Sequence, residues 1–167
     1  KGNVEALFKY GLILYNGDSI AVNKKEAAKY FKMAADKENV DAMYHYGLIL
    51  FKGEGVEIDK NEASRCYKIA ADKGNVDAMY HYGLALYKGD GVEFNDKEAA
   101  KYFKLAADFG NKDALINYIS ILEQDNLDEI DRKETAKYYK MAADIGNASI
   151  MNIYGRMLEY GKDVLID

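Results

Sequence analysis

The sequence predicts an all-α protein, an α-solenoid of stacked antiparallel helix pairs built from 36-residue repeats. Three observations carry that prediction. The string Ala-Ala-Asp recurs at 34–36, 70–72, 106–108 and 142–144, a constant step of 36. Whole columns keep the same frame without a gap: Tyr10, Tyr46, Tyr82, Tyr118 and Tyr154; Leu14, Leu50, Leu86, Leu122 and Leu158; Glu26, Glu62, Glu98 and Glu134. A fixed period of this length is the mark of a repeat architecture. Finally, the 167 residues contain no proline, so nothing interrupts a helical hydrogen-bond ladder by removing a donor. The register divides 1–167, a single array, into repeats 1–36, 37–72, 73–108 and 109–144 and a partial repeat 145–167. Nine helices are expected.

Each repeat holds two helices. Helix A follows Asn3, Asn39, Asn75, Asn111 or Asn147, because an Asn side chain accepts one of the orphan amide hydrogen bonds of a first turn. Gly17, Gly53, Gly89 and Gly161 stand where it ends, at a left-handed position. Helix B starts at Asn23, Asp59, Asn95 or Asp131, with Glu26, Glu62, Glu98 or Glu134 three residues on, which predicts a capping box. The preceding Val22, Ile58, Phe94 or Ile130 is placed to staple against the first turns. Helix B ends at the Ala-Ala-Asp string, and Gly74, Gly110 and Gly146 supply the next left-handed turn; Glu38 stands in that column instead.

Stacking follows from the faces. Helix B puts Ala27, Ala28, Ala34 and Ala35 on one side and Lys24, Lys25, Lys29 and Lys32 on the other. Helix A is apolar nearly all round, as in Met43, Tyr44, Tyr46, Leu48, Ile49, Leu50 and Phe51, and such a helix needs neighbours on several sides. Mid-helix Gly11, Gly47, Gly83 and Gly155 each cost ~1 kcal/mol against alanine, so close helix approach is their expected reason. Gly2-Asn3 looks like the link from a preceding helix B, and Asp167 falls on the cap column of a fifth. Neither end is polar as a capping repeat would be. A fragment of a longer solenoid is therefore expected, with neighbouring repeats or partner chains at both ends.

The pattern across Ala78, Tyr82, Gly83, Leu86, Tyr87, Gly89, Gly91, Val92, Glu98, Ala99, Ala100, Lys104, Ala106, Ala107 and Gly110 resembles Sel-one-like repeats, a class of tetratricopeptide-like α-solenoids. The resemblance spans the whole chain and implies a right-handed superhelix and adaptor work through protein–protein contacts. Repeat 4 departs from the pattern at Ile119, Glu123, Asp125 and Leu127. Cysteine-rich bacterial relatives, linked to β-lactam binding, staple each repeat with a disulfide; the single Cys66 here cannot.

In tetratricopeptide-like stacks helix A lines the concave face. The resemblance therefore points to Asp41, Tyr44, Leu48 and Phe51 as a groove, with Asp77, Tyr80, Leu84 and Tyr87 beside them and Glu5, Phe8, Leu12 and Tyr15 in repeat 1. Their i, i+3, i+7, i+10 spacing places each set on one helical face. Aromatic residues bordered by acids suit a peptide or protein segment; the bland alternative is that they only pack between adjacent A helices. From repeat 4 onward the stripe turns polar: Ile116, Ser120, Glu123, then Asn152, Arg156, Glu159.

Other candidates weigh less. Helix-B lysines form a basic ridge, but glutamates in the same helices favour a solvated face over a phosphate-binding one. The net charge of −5 also argues against nucleic acid. His45 and His81 share a column, yet each follows an acid (Asp41, Asp77) by four residues, an ordinary helical pairing; no metal is expected. Cys66 replaces a tyrosine of the column Tyr30, Tyr102 and Tyr138 and suits a buried small hydrophobe. No nucleophile–base set or phosphate-cradling loop stands out, so no enzyme activity and no cofactor are expected. No apolar run reaches the ~18 residues a membrane span needs. A lone cysteine suggests the cytoplasm. The expected function is a scaffold holding a protein partner; the alternative is a structural spacer inside a larger assembly.

Overall fold

The structure is a computed structural model that describes residues 2–18, 20–124, 132–146, 151, 152, 154 and 155. Asn3, expected as a cap, lies inside the first helix, which already runs from Gly2; from Asn23 to Asn111 the caps begin helices where the register puts them. The Asn39, Asn75 and Asn111 side chains accept from the Ala42, Ala78 and Ala114 amides at 2.8, 2.7 and 2.8 Å. Asn23, Asp59 and Asn95 accept from the Glu26, Glu62 and Glu98 amides at 3.0, 2.9 and 3.0 Å. The resulting elements are α1 (Gly2–Asn16), α2 (Lys24–Ala35), α3 (Val40–Lys52), α4 (Lys60–Asp72), α5 (Val76–Lys88), α6 (Asp96–Asp108), α7 (Lys112–Gln124) and α8 (Arg132–Asp144). No strand occurs among the described residues. The fold is all-α with consecutive helices packed as antiparallel pairs. The expected ninth helix falls mainly outside the described residues; Met151, Asn152, Tyr154 and Gly155 are helical. The expected cap residues Asp131 and Asn147 also lie outside them.

The capping box forms only by half. Glu26 and Glu62 do not reach back to the cap amide; they bind Lys29 at 2.8 Å and Arg65 at 2.6 Å. The cap amides of Asn23, Asp59 and Asn95 instead donate to the carbonyls of Leu14, Leu50 and Leu86 at 2.8, 3.1 and 3.0 Å. Those carbonyls end helix A without an intrahelical donor. The A–B turn thus satisfies two orphan groups at once. Val22, Ile58 and Phe94 stay exposed, at 55%, 63% and 59%, and Val22 and Ile58 lie over Gly17 and Gly53, not deep against the first turns.

Helix B closes in a Schellman motif: the Gly74 amide bonds the Ala71 carbonyl at 2.9 Å and the Asn75 amide the Ala70 carbonyl at 3.0 Å. The same pair recurs from Glu38 to Ala35 and from Asn39 to Ala34, at 2.8 and 3.1 Å. Glu38 is the one non-glycine residue at positive φ among the described residues, at 64°.

The chain divides into Lys1–Tyr102 and Phe103–Asp167. In the first unit α1 packs on α2, α2 on α3, α3 on α4 and α4 on α5. Its core joins Leu14, Ala27, Ala28, Phe31 and Ile49, with Ala34, Ala35 and Ala42 beyond. A Cβ on Gly11 would lie 2.7 Å from Phe31 Cδ1, and one on Gly47 2.9 Å from Tyr67 Cε1. The glycines therefore seat the helix-B rings, each worth roughly 2–3 kcal/mol when buried, which outweighs the lost propensity. In the second unit α7 packs on α8, and Ile119, in the glycine column, is buried.

Candidate functional site

The predicted stripe lies in the first unit, on α1, α3 and α5. Phe8, Leu12, Tyr15, Tyr44, Leu48, Phe51, Tyr80, Leu84 and Tyr87 are all half-buried, and Asp41 and Asp77 are exposed. Both carboxylates sit in the first turn of their helices, where the macrodipole favours negative charge. Phe8, Leu12 and Tyr15 pack against the Leu14–Phe31 core, so packing and exposure share the stripe.

Rings link the three helices. Phe8 and Tyr15 lie 6.0 and 6.2 Å from Phe31, centroid to centroid. His45 stacks on Phe31 at 5.1 Å and touches Tyr44 at 5.2 Å. Tyr44 lies 6.1 Å from Tyr67 and 5.5 Å from His81. His81 stacks on Tyr67 at 5.3 Å and meets Tyr80 at 5.3 Å. The sequence reading gave both histidines to simple pairing with Asp41 and Asp77; the structure makes them members of an aromatic ladder. Phe31 and Tyr67, from helix B, went unnoticed as contributors. The signal was present: their column faces the mid-helix glycines.

Burial pushes the His45 imidazole below its usual range, partly opposed by the carboxylates of Asp41 and Asp77. His81 is lowered for the same reason, with Asp77 opposing and Lys52 assisting. Burial thereby favours the neutral form of both rings. Burial, aided by Asp77, pushes the Tyr44 hydroxyl up to about 12. Two buried polar atoms have no hydrogen-bond partner among the described residues: His45 Nδ1 and the Tyr67 hydroxyl.

The far end of the stripe is fastened to the next A–B loop. The Tyr15 hydroxyl donates to Glu54 Oε2 at 2.7 Å, and Lys24 Nζ meets Glu54 Oε1 at 2.8 Å while lying 5.1 Å over the Tyr15 ring. Lys60 repeats the arrangement with Asp90, at 2.6 Å, and the Phe51 ring, at 5.3 Å.

In the second unit the stripe is polar as expected. Ser120 Oγ donates to the Ile116 carbonyl at 3.0 Å, and the Tyr139 hydroxyl to Glu123 Oε1 at 2.8 Å. Asn152 is exposed; Arg156 and Glu159 lie outside the described residues.

Basic residues of helix B hold acids: Lys29 with Glu26, Lys32 with Asp36, Lys68 with Asp72, Lys137 with Asp108. Cys66 is buried, and burial raises its thiol to about 11. No group of three metal-binding side chains occurs among the described residues, and no helix there is long and apolar enough to cross a membrane.

Comparison with known proteins agrees with this architecture. The family model described as Sel1 repeat matches residues 4–39, 40–75, 76–111 and 125–147. A protective antigen of uropathogenic Escherichia coli strains, displaying an SLR fold, is 25% identical with a TM-score of 0.86; the likeness covers 99% of this chain and 36% of that one. A Sel1 repeat protein from Oxalobacter formigenes is 27% identical, TM-score 0.79, over 98% of this chain and 67% of that one. Cysteine-rich protein B of Helicobacter pylori is 26% identical, TM-score 0.57, over 66% and 85%. The chain thus spans 36% of the length of the E. coli antigen. No curated protein matches the sequence.

Proposed function

Since the chain belongs to the Sel1 repeat family, we propose that it is a non-catalytic scaffold that binds a peptide or protein segment along the helix-A face. One observation carries the reading: Tyr44, Leu48 and Phe51 on α3 and Tyr80, Leu84 and Tyr87 on α5 are half-buried in the same register. Core packing alone would submerge such residues. They keep part of their surface open in register on two A helices, and partly open aromatic surface of this kind suits an interaction site. Aromatic anchors held by neighbouring rings also lose little side-chain entropy on binding.

The test starts from the full-length protein, crosslinked to its partners to map the contacts. Tyr44→Ala combined with Tyr80→Ala weakens the mapped partner by about 2 kcal/mol, close to 30-fold in Kd, with helical content unchanged. An equal loss from replacing Glu123 and Glu159 alone places the site elsewhere. Crosslinks that avoid the face altogether favour a structural spacer.

A further inference from the structure

The border and floor of this face are specific enough to name the chemistry of its occupant. Resting on the reading just given, we propose that the α3–α5 part of the face holds an extended protein segment bearing a lysine or arginine. Its cation lies over Tyr44 between Asp41 and Asp77, and a backbone carbonyl of the segment accepts from the Tyr67 hydroxyl.

The charge argument begins with Asp41 and Asp77, which occupy the same position on neighbouring A helices. Asn75 Nδ2 donates to Asp41 Oδ1 at 2.9 Å and ties the start of one helix to the other. Several acids of the first three repeats are matched, as Glu54 is with Lys24, Glu62 with Arg65 and Asp90 with Lys60. Asp41 and Asp77 have no ion-pair partner among the described residues. Their field reaches the aromatic ladder: both carboxylates act on His45, and Asp77 acts on Tyr44 and, together with Lys52, on His81. Two unpaired carboxylates beside a tyrosine ring combine ion pairing with cation–π attraction, the two interactions that recognise a basic side chain. A net charge of −5 steers the same class of partner toward the chain.

The second observation is independent of charge. Tyr67 is 1% exposed, and its hydroxyl has no partner. Its ring crosses Gly47 and ends among Tyr44 and Phe51, both members of the stripe. The equivalent residue two repeats on, Tyr139, gives its hydroxyl to Glu123 at 2.8 Å. In the Glu123 column, the residue beside Tyr67 is Phe51, which offers no acceptor. The unmet demand under α3 is therefore for an oxygen acceptor, and an extended backbone lying on the stripe supplies carbonyls.

The experiment titrates three capped peptides, repeating Ala-Lys-Leu, Ala-Glu-Leu and Ala-Gln-Leu, into the full chain, with tyrosine and histidine side-chain NMR signals as the readout. The lysine peptide binds about tenfold more tightly than the other two. Asp41→Asn with Asp77→Asn abolishes that preference, and Tyr67→Phe weakens the lysine peptide about threefold with melting temperature retained. Equal affinities for the three peptides, or a preference that survives in the Asp41→Asn, Asp77→Asn variant, overturn the proposal. If those equal affinities still collapse with Tyr44→Ala and Tyr80→Ala, the groove reading stands and only its basic occupant is wrong. If no peptide depends on Tyr44 and Tyr80, both fail. An unchanged affinity in Tyr67→Phe removes the carbonyl contact.

Discussion

Exchanging the residues at positions 38 and 74 isolates the cost of a side chain in a left-handed helix end. Glu38 sits at φ 64°, whereas Gly74, Gly110 and Gly146 in the same column sit at 96°, 89° and 85°. A side chain confines the backbone to the narrow well near +57°, and glycine relaxes past it. Holding glutamate there costs about 1 kcal/mol. The Lys73–Glu38 ion pair, at 3.3 Å between side chains 39% and 80% exposed, returns only about 0.3 kcal/mol. Glycine at position 38 relieves the strain but frees the unfolded chain by roughly 0.4–1 kcal/mol. Glu38→Gly therefore comes out near neutral, within about 0.5 kcal/mol either way. A Cβ on Gly74 would meet nothing within 4 Å, so Gly74→Glu pays no packing penalty, only the swing in φ from 96° toward 64°. The strain of about 1 kcal/mol and that swing together outweigh the roughly 0.4–1 kcal/mol by which a side chain narrows the unfolded chain, so the variant is expected to lose up to about 1 kcal/mol. Urea midpoints read both, since about 1 kcal/mol moves the midpoint by roughly 0.3–1 M. An unmoved midpoint for Gly74→Glu refutes the account, as does a loss of about 1 kcal/mol or more for Glu38→Gly.

Three further outcomes are expected. Cys66→Tyr stabilises by about 1 kcal/mol, because tyrosines in its column bond an aspartate of the previous repeat (Tyr102 to Asp72 at 2.9 Å, Tyr138 to Asp108 at 3.0 Å). Asp36 and Tyr46 already neighbour Cys66, so a lowered melting temperature would show that the site has no room. Burial lowers the His45 and His81 pKa values, so below about 6.5 the unfolded chain binds more protons than the folded one. Stability is flat above neutrality and falls as pH drops through about 6.5; imidazole NMR titrations at or above that value would contradict it. Gly47→Ala drives a Cβ to within 2.9 Å of Tyr67 Cε1 and costs about 1–3 kcal/mol in chemical denaturation despite better helix propensity. A neutral result would mean that the Tyr67 ring moves freely.

Much of the fold was legible because it is local. Caps, left-handed turns and helix periods are set by residues within four or five positions of one another. The 36-residue register therefore placed the helix starts at Asn39, Asp59 and Asn75, though not at Asn3, and foresaw the turn conformation of Glu38. The stripe on α1, α3 and α5 was legible for the same reason, as helical spacing alone puts Tyr44, Leu48 and Phe51 on one face. Helix A, however, is apolar nearly all round, so its sequence does not say which residues stay open and which are submerged.

Packing between segments some 10 to 40 residues apart decided that. The Asn23 cap amide went to Leu14 across the turn, because a helix end left without donors lay beside it. His45 and His81 joined a ladder with Phe31 and Tyr67, because Gly11 and Gly47 leave space for rings that cross from helix B. The Tyr67 hydroxyl has no partner among the described residues because Phe51 stands where another repeat has Glu123. Sequence by itself determined the local conformations, since each follows from backbone sterics and nearby hydrogen bonds. Tertiary structure alone decided the partners of the buried polar groups, since each depends on which side chain a neighbouring helix happens to bring within reach.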